Sequence, residues 1–485
     1  MVAAICASLL TVTLTGTQAH AAVQVAWPTF GFDAQRDGFN LLESGLGPTS
    51  APTLVQRWAT PITPTGWAVT TQPVVARGVR VGPVRVADLV FVGTEGGTLT
   101  AIDLQTGEVE WRRLLPTTKP GPGRGCEYPN LRFGINGTPV VERARGRIYV
   151  APGDARVYAL DLATGRTVKG WPIAVGSPAG EHVWSALTLW RGALYASVAS
   201  YCDVPPYTGK VVGIDVNRAR RFAIWRPTHH GKHRPYPPGG GVWGWGGVSV
   251  DRADGDVYAA TGNAAGKQQS YGYSERVVRL GRHLNVKQSN FPFSRLLLID
   301  QDFGSTPMLY RSKGCPPQLT ALNKDGELFV YRRGRISGGP FQRLLVATPR
   351  DDGESSLLGV TAYDSSRRMV YVSSPSDSPD HRYHRGLIAF HVESDCHLTV
   401  AWQASIGSKG LTSSPVVADG VVYVGTGQAG QVRAVDASDG KPLAILPFGT
   451  PVLAAPTVVN GSLLAVGYNG VLHSYRPLLP AAPLP

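Results

Sequence analysis

The residues best placed to do chemistry lie in one stretch, 239–263, which reads GGGVWGWGGVSVDRADGDVYAATGN. Its three consecutive glycines lack Cβ atoms, so another backbone or a flat ligand can approach closely. Trp243 and Trp245 follow at a spacing that places both indoles on one face of an extended strand. Asn263 ends the second strand of the predicted hairpin. The stretch therefore offers an aromatic face and an amide, and packing between sheets is the alternative role of its tryptophans.

This hairpin belongs to a repeated unit that must position the site. The unit contains a small/Pro-Val-Val strand, a strand ending in Tyr-Val-Gly or a similar sequence, and a strand ending in Ala-x-Asp before a Thr-Gly turn. Short apolar strands build sheets, and Asp-x-x-Thr-Gly provides a side-chain acceptor and a residue that tolerates positive φ. A tryptophan in the fourth strand can cover the gap to the neighbouring sheet. Such tryptophans are Trp111, Trp171, Trp225 and Trp402.

The first strand of the unit occurs eight times, beginning at residues 72, 138, 185, 247, 306, 359, 414 and 455. Repeats of about 40 to 65 residues with four strands each are typical of a β-propeller. The last copy lacks a fourth strand, and 54–58 (Leu-Val-Gln-Arg-Trp) has the form of the missing one. The sequence therefore predicts an all-β, eight-bladed β-propeller of four-stranded blades, closed by an N-terminal strand that joins the last blade.

The N-terminal residues indicate export. Residues 1–21 are apolar and end in Ala-His-Ala, the pattern of a signal peptidase site, although no Lys or Arg precedes position 22. We expect a periplasmic or extracellular monomer, with a single propeller domain over 22–477, a proline-rich tail over 478–485 and no transmembrane segment in the mature chain. The net charge of +13 comes from scattered Lys and Arg, which favours solvated surface charge over nucleic-acid binding.

Four cysteines remain after loss of the signal peptide, an even number that favours two disulfides in an exported chain. In a propeller, Cys126 and Cys202 fall in loops on one face of neighbouring blades, and Cys315 and Cys396 fall in hairpin turns on the opposite face. We therefore predict the pairs Cys126–Cys202 and Cys315–Cys396. No CxxCH motif is present, which argues against a c-type haem.

The chain resembles the quinoprotein propellers, which bind pyrroloquinoline quinone (PQQ), and their cofactor-free relatives. The opening 27–31 (Trp-Pro-Thr-Phe-Gly), the following 36–38 (Arg-Asp-Gly) and the segment 300–304 (Asp-Gln-Asp-Phe-Gly) are similar to such chains, as are the Ala-x-Asp-x-x-Thr-Gly-x-x-x-Trp repeats. The resemblance covers the mature chain. It also includes assembly scaffolds of the BamB type, so it is specific for the fold and weak for the chemistry.

For the chemistry, the resemblance implies a PQQ site with a calcium ion. Trp245 matches the tryptophan that stacks under the quinone, and Asn263 matches a calcium ligand. Asp203 resembles the glutamate ligand, Lys324 resembles the basic residue of the site, and Arg132 matches an arginine beyond the vicinal cysteines. Plainer roles compete: core packing for Trp245, a turn held by the side chain for Asp203 and Asn263, and an exposed turn for Lys324.

Two departures from the family pattern argue against a dehydrogenase. In place of the two adjacent cysteines that form the vicinal disulfide, this chain has Cys126-Glu127. Glu275 is the one carboxylate between Asn263 and Asp300, where the catalytic aspartate is expected. Abstraction of a proton from an alcohol needs a base. We therefore expect no catalytic residue and no bound cofactor, in a scaffold or binding module that holds a protein or small-molecule ligand on its top face. The alternative is a PQQ- and calcium-dependent dehydrogenase of alcohols or polyols that passes electrons to a separate carrier.

Overall fold

The computed structural model describes residues 26–63, 67–119, 132–201, 203, 206–229, 238–264, 271–293, 301–349, 359–407 and 410–478. The described strands form eight sheets arranged in a ring; seven contain four antiparallel strands, and the eighth contains four antiparallel strands and one parallel strand. Three short 3₁₀ helices are present over the same ranges: Ala51–Thr53, Arg143–Arg145 and Arg333–Gly338. The predicted all-β, eight-bladed propeller is confirmed.

The strands are numbered in chain order; four successive strands make each of blades 1 to 7, and β2 completes blade 8. The chain first forms β1 (Phe39–Asn40) and β2 (Leu54–Pro61). Blade 1 consists of β3 (Val74–Arg80), β4 (Val86–Gly93), β5 (Thr98–Asp103) and β6 (Val109–Leu114), and blade 2 consists of β7 (Val140–Glu142), β8 (Arg147–Val150), β9 (Arg156–Asp161) and β10 (Ile173–Ala174). Blade 3 consists of β11 (Thr188–Trp190), β12 (Ala193–Val198), β13 (Lys210–Asp215) and β14 (Arg220–Trp225), and blade 4 consists of β15 (Ser249–Val250), β16 (Val257–Ala260), β17 (Val277–Leu280) and β18 (Val286–Asn290). In the second half, blade 5 consists of β19 (Met308–Tyr310), β20 (Gln318–Leu322), β21 (Glu327–Arg332) and β22 (Gln342–Leu345), and blade 6 consists of β23 (Ala362–Asp364), β24 (Met369–Ser374), β25 (Gly386–Val392) and β26 (Leu398–Ala404). Blade 7 consists of β27 (Val416–Ala418), β28 (Val421–Gly425), β29 (Gln431–Asp436) and β30 (Pro442–Pro447), and blade 8 contains β31 (Thr457–Val459), β32 (Ser462–Val466) and β33 (Val471–Pro477).

Burial follows the position of a strand within its blade. The second strands β12 and β24 are buried at every position, because neighbouring blades cover both faces of the sheet. This explains why their sequences are continuous runs rather than alternating ones. The outer strand β14 exposes several of its residues. The first and third turns of the blades define the bottom face of the ring, whereas the second turns and the loops between blades define the top face.

Tryptophans of the outer strands pack on the next blade, as predicted. The Trp111 indole donates a hydrogen bond to Leu162 O at 3.0 Å, and Trp402 donates one to Ala437 O at 3.1 Å. A Cβ on Gly165 would lie 2.7 Å from the Trp111 ring, so the glycine of the Thr-Gly turn is needed to admit the indole. The same glycine has φ of 66°, which L side chains rarely adopt.

The ring closes as predicted. Strand β2 pairs antiparallel with β33, from Leu54 opposite Pro477 to Pro61 opposite Val471, and so supplies the fourth strand of blade 8. Without this strand the outer edge of β33 would present unpaired backbone groups. The first and last parts of the propeller are thus held together by one sheet.

The N-terminal residues also form a segment that the sequence analysis did not anticipate. Residues 27–40, here called the axial segment, make hydrogen bonds to the innermost part of every blade, and β1 adds a fifth, parallel strand to blade 7. The partners in blades 1 to 8 are Val75, Val141, Leu187, Val250, Leu309, Tyr363, Val417 and Val458. The Arg36 guanidinium within the segment is fully buried, and burial lowers the pKa of Arg36 to about 9.

Some inner strands begin later than the sequence predicts. In blade 3, for example, the strand begins at Thr188 rather than at position 185. The preceding residues bond to other blades instead of to their own second strand: Ala186 N donates to Trp245 O at 2.9 Å, and Leu187 N donates to Thr138 O at 3.2 Å. These contacts link neighbouring blades near the axis.

The structure contains the disulfide Cys315–Cys396, the second of the two predicted pairs, with a Cα–Cα distance of 5.7 Å. It joins the first turn of blade 5 to the third turn of blade 6. Cys126 and Cys202 lie outside the described residues. The described part of the chain contains no helix with the length and hydrophobicity that spanning a bilayer requires.

We expect the double substitution Cys315→Ala/Cys396→Ala to lower the free energy of unfolding by about 2–4 kcal/mol, because the crosslink restricts the unfolded chain over a separation of 81 residues. Urea denaturation of the parent protein and the variant, in a buffer that contains neither an oxidant nor a reductant, would measure the difference. An unchanged midpoint would contradict a stabilising role for this bridge.

Candidate functional site

The glycine-rich stretch lies on the top face between blades 3 and 4, and the atoms closest to it are backbone atoms of the same chain. Gly240 N donates to Asn263 O at 2.6 Å, and Gly262 N donates to Gly241 O at 2.7 Å. On the other side, a Cβ on Gly209 would lie 1.9 Å from Gly240 O. The predicted close approach therefore occurs, and three backbone segments of the same chain make it.

The two tryptophans of this stretch do not share a strand face, so that prediction was wrong. The residues around them form a turn, in which Gly247 N donates to Gly244 O at 2.8 Å, and the regular strand begins only at Ser249. Trp245 is partly buried and packs against the largest core cluster. Trp243 instead contacts polar residues of blade 5.

Trp243, Asp302 and Lys324 form a compact polar group, here called the Trp–Asp–Lys cluster. The Trp243 indole N–H donates to Asp302 Oδ2 at 2.7 Å, and Lys324 Nζ lies 3.1 Å from Asp302 Oδ1. The same ammonium lies 4.9 Å from the centre of the indole ring. Asp302 is 3% exposed, so the carboxylate has exchanged water for these two donors.

Asn263 and Asp203 form a second polar group beside the cluster. Asn263 Nδ2 donates to Asp203 Oδ2 at 3.1 Å, and the Tyr207 hydroxyl donates to the other oxygen of Asp203. Burial, with the nearby Asp203 charge, raises the pKa of Tyr207 well above its ordinary value, so the hydroxyl remains a donor. A Cβ on Gly262 would lie 2.8 Å from Asp302 Oδ2, which shows how closely the two groups approach.

Arg132 and an aromatic wall lie further around the top face. Arg132 Nη1 donates to Thr117 Oγ1 at 3.3 Å, and no hydrogen bond among the described residues joins it to the Trp–Asp–Lys cluster. The neighbouring Phe133 ring stacks on His182 at a centroid distance of 3.9 Å. Burial lowers the pKa of His182 to about 4, so the imidazole is neutral at physiological pH. Trp184 packs edge-on against Phe133 at 4.9 Å.

Glu95 is a buried acid that the sequence analysis missed. It lies in the second turn of blade 1, on the top face, and is 6% exposed. Burial raises the pKa of Glu95 to about 7. No regular pattern distinguishes this glutamate from the exposed polar residues that occupy most hairpin turns.

The structure thus brings together four of the residues considered from the sequence: Asp203 with Asn263, and Lys324 with Trp243. It adds Asp302, which lies just beyond the interval from Asn263 to Asp300 in which the family pattern predicts the catalytic aspartate. A usable signal was present, since Asp302 lies in the top-face loop that leads into the inner strand of blade 5, six residues before that strand begins at Met308. Trp245 and Arg132 have other contacts.

These residues do not fit a calcium ion and a quinone in the arrangement observed. Calcium requires several hard oxygen ligands. Asp302 is already engaged by Lys324 and the Trp243 indole, and Asp203 accepts hydrogen bonds from Asn263 and Tyr207. Among the described residues no group of three or more His, Cys, Asp and Glu side chains is arranged to hold a metal. The site provides its own counter-charges.

Comparison with known proteins agrees with the fold and its repeats. The family model described as outer membrane protein assembly factor BamB matches residues 63–218 and 399–476. A quinohemoprotein alcohol dehydrogenase from Comamonas testosteroni is 24% identical over 274 residues, and the match covers 51% of this chain and 35% of that protein. The matched segment therefore spans about a third of this relative. These matches confirm the predicted resemblance: the repeats of this chain are similar to those of the PQQ-like propellers.

Solved structures show the same architecture. The crystal structure of the Comamonas testosteroni quinohemoprotein alcohol dehydrogenase superimposes with a TM-score of 0.68 at 16% identity, covering 94% of this chain and 82% of that one. BamB from Moraxella catarrhalis superimposes with a TM-score of 0.53 at 13% identity, covering 87% of this chain and 99% of BamB. At these identities the likeness concerns the fold, and both an enzyme and an assembly factor share it.

Proposed function

We propose that this chain is an exported PQQ-like propeller that serves as a binding module or scaffold and has no working dehydrogenase site. The observation that carries the proposal is the Trp–Asp–Lys cluster. An enzyme of this class needs an open slot whose polar groups are directed at the cofactor and metal, whereas here an indole and an ammonium already satisfy the buried carboxylate.

The electrostatics of the cluster support a structural role. A carboxylate that is 3% exposed is costly unless it is paired, and Lys324 with a side-chain exposure of 13% is in the same position. Each group neutralises the other, and the indole covers both. Removing either partner would leave a buried charge, so the cluster stabilises the junction between blades 4 and 5 without any ligand.

A ligand would then bind another part of the top face, where the aromatic group of Phe133, His182 and Trp184 presents one partly exposed ring. Trp184 is partly exposed and donates its indole N–H to Ser200 O at 2.7 Å, which fixes the ring orientation. Rigid aromatic side chains supply contact area at low cost in conformational entropy. The assembly-factor relatives of this fold make a protein partner the favoured class of ligand.

A PQQ- and calcium-dependent alcohol or polyol dehydrogenase is the competing function. One observation favours it: Asp302 lies beside the Gly262–Asn263 corner, so a carboxylate, an amide and a lysine meet near the axis. A carboxylate in such a place is a candidate general base. The competing function requires that the Trp243 indole leave its position and that Asp302 exchange Lys324 for a metal.

We expect purified protein mixed with excess PQQ and Ca²⁺ to show no saturable binding by calorimetry and no alcohol-dependent dye reduction. The physical reason is that the donors on Asp302 would have to be displaced before a quinone or metal could bind. The same solutions should be tested with Asp302→Asn. If the carboxylate is structural, this variant unfolds at lower denaturant concentration because Lys324 loses its counter-charge.

The opposite outcome would have a clear pattern. Saturable PQQ binding that disappears in Asp203→Ala and Asn263→Ala, together with an Asp302→Asn variant that folds normally and loses dye reduction, would replace the scaffold by the enzyme. Lys441→Ala serves as the control substitution, because this exposed lysine in the third turn of blade 7 lies on the bottom face.

A further inference from the structure

A depression of about 730 Å³ lies on the bottom face between the first turns of blades 5 and 6. Its lining consists of residues 311–316 from blade 5 and Ser365 from blade 6. The bottom face is opposite to the Trp–Asp–Lys cluster, so this depression is separate from the site described above. Neither the repeat pattern nor the comparisons assign a role to it.

The charge of this depression is positive. Arg311 and Lys313 are exposed and line it, and neither forms an ion pair with a carboxylate among the described residues. The acid beside Ser365 is Asp364, which is fully buried and already bound by Arg367 at 3.0 Å. Two cations therefore face the same depression, and no carboxylate among the described residues forms an ion pair with either.

A buried hydroxyl adds a neutral donor to the two cations. Ser312 is 1% exposed and lines the same depression, and its Oγ has no hydrogen-bond partner in the described structure. The Tyr363 hydroxyl lies within side-chain hydrogen-bonding reach of Ser312, but the two hydroxyls do not complete a bond of regular geometry. A buried hydroxyl whose hydrogen bond is poorly formed costs free energy that a well-placed bound acceptor would recover.

The backbone of this turn is held in place. Cys315 N donates to Ser312 O at 3.0 Å, and Gly314 adopts φ of 84°, as the third residue of a tight turn requires. The Cys315–Cys396 disulfide attaches the turn to blade 6. The backbone that carries Arg311 and Lys313 is thus positioned before any ligand arrives, which lowers part of the entropic cost of binding.

From these contacts we propose that the depression binds a phosphate-type oxyanion through Arg311, Lys313 and the hydroxyl of Ser312. An oxyanion accepts several hydrogen bonds at once and carries negative charge that would balance the two cations. Free phosphate and a phospholipid headgroup share this chemistry. The inference does not depend on the proposed binding role of the top face.

The test is a calorimetric titration of the full mature protein with inorganic phosphate at constant ionic strength. We expect saturable binding that Arg311→Ala and Lys313→Ala each weaken about tenfold, because each loses one charge-assisted hydrogen bond. Ser312→Ala should weaken binding several-fold with no change in net charge. Flotation with phosphatidylcholine vesicles, with and without phosphatidylglycerol, distinguishes the lipid source from the free ion.

Arg80→Ala is the charge-matched control. Arg80 is exposed on blade 1 and its guanidinium donates to the backbone oxygen of Pro83, so the variant loses the same charge elsewhere on the bottom face. Normal binding in Arg80→Ala and weakened binding in Lys313→Ala would support the site, whichever source supplies the phosphate. Equal losses in both variants, or no saturable binding to either phosphate or phosphatidylglycerol vesicles, would overturn it.

Discussion

Removal of residues 22–60 is expected to abolish the cooperative unfolding transition of the propeller. The deletion takes away nearly all of the strand Leu54–Pro61, which pairs with β33, and the axial segment, which bonds to all eight blades. The edge of blade 8 would lose its ladder, and the inner strands would lose their shared partner. Thermal unfolding followed by circular dichroism and calorimetry measures the effect.

Two shorter truncations separate the contributions. Deleting 22–40 removes the axial segment and leaves the closing strand, and we expect a folded protein with a lower midpoint. Deleting 481–485 should have no effect on the transition. If the protein lacking 22–60 melted cooperatively at the temperature of the full mature chain, both the closure and the axial segment would be irrelevant to stability.

The second large effect concerns pH and Glu95. Burial raises the pKa of Glu95 from 4.5 to about 7, so the folded protein keeps this proton over a range in which the unfolded chain releases it. Folding stability attributable to Glu95 therefore falls as pH rises from 4.5 to about 7. The total loss is about 3 kcal/mol, from 1.4 kcal/mol for each pH unit.

Glu95→Gln should remove this dependence, because the amide keeps the shape of the protonated acid and does not ionise. We expect the variant to match the parent protein below pH 4.5 and to be more stable by about 3 kcal/mol at pH 8. Urea denaturation at several pH values gives both curves. Glu108→Gln, an exposed substitution in the same blade, is the control and should change stability by less than about 0.5 kcal/mol. Parallel curves for Glu95→Gln and the parent would refute the prediction.

The sequence by itself determined the architecture, because the information needed for a blade is local. The Ala-x-Asp-x-x-Thr-Gly units encode their own turns. The tryptophan that follows packs on the glycine of the corresponding turn in the next blade, as Trp111 packs on Gly165. The missing fourth strand of the last copy was enough to predict pairing by Leu54–Trp58. The Cys315–Cys396 pairing also followed, because blade topology alone places those two turns side by side.

The tertiary structure alone decided the site. Asp302, Trp243 and Lys324 come from different loops, and their contacts depend on how those loops cross the top of the ring. Periodic patterns describe strands and say nothing about such crossings. The burial of Glu95 and the contacts of the axial segment have the same origin, since both arise when eight blades enclose a common axis. A residue that looks like an exposed turn in one repeat becomes buried when its neighbours in space, distant in the chain, close over it.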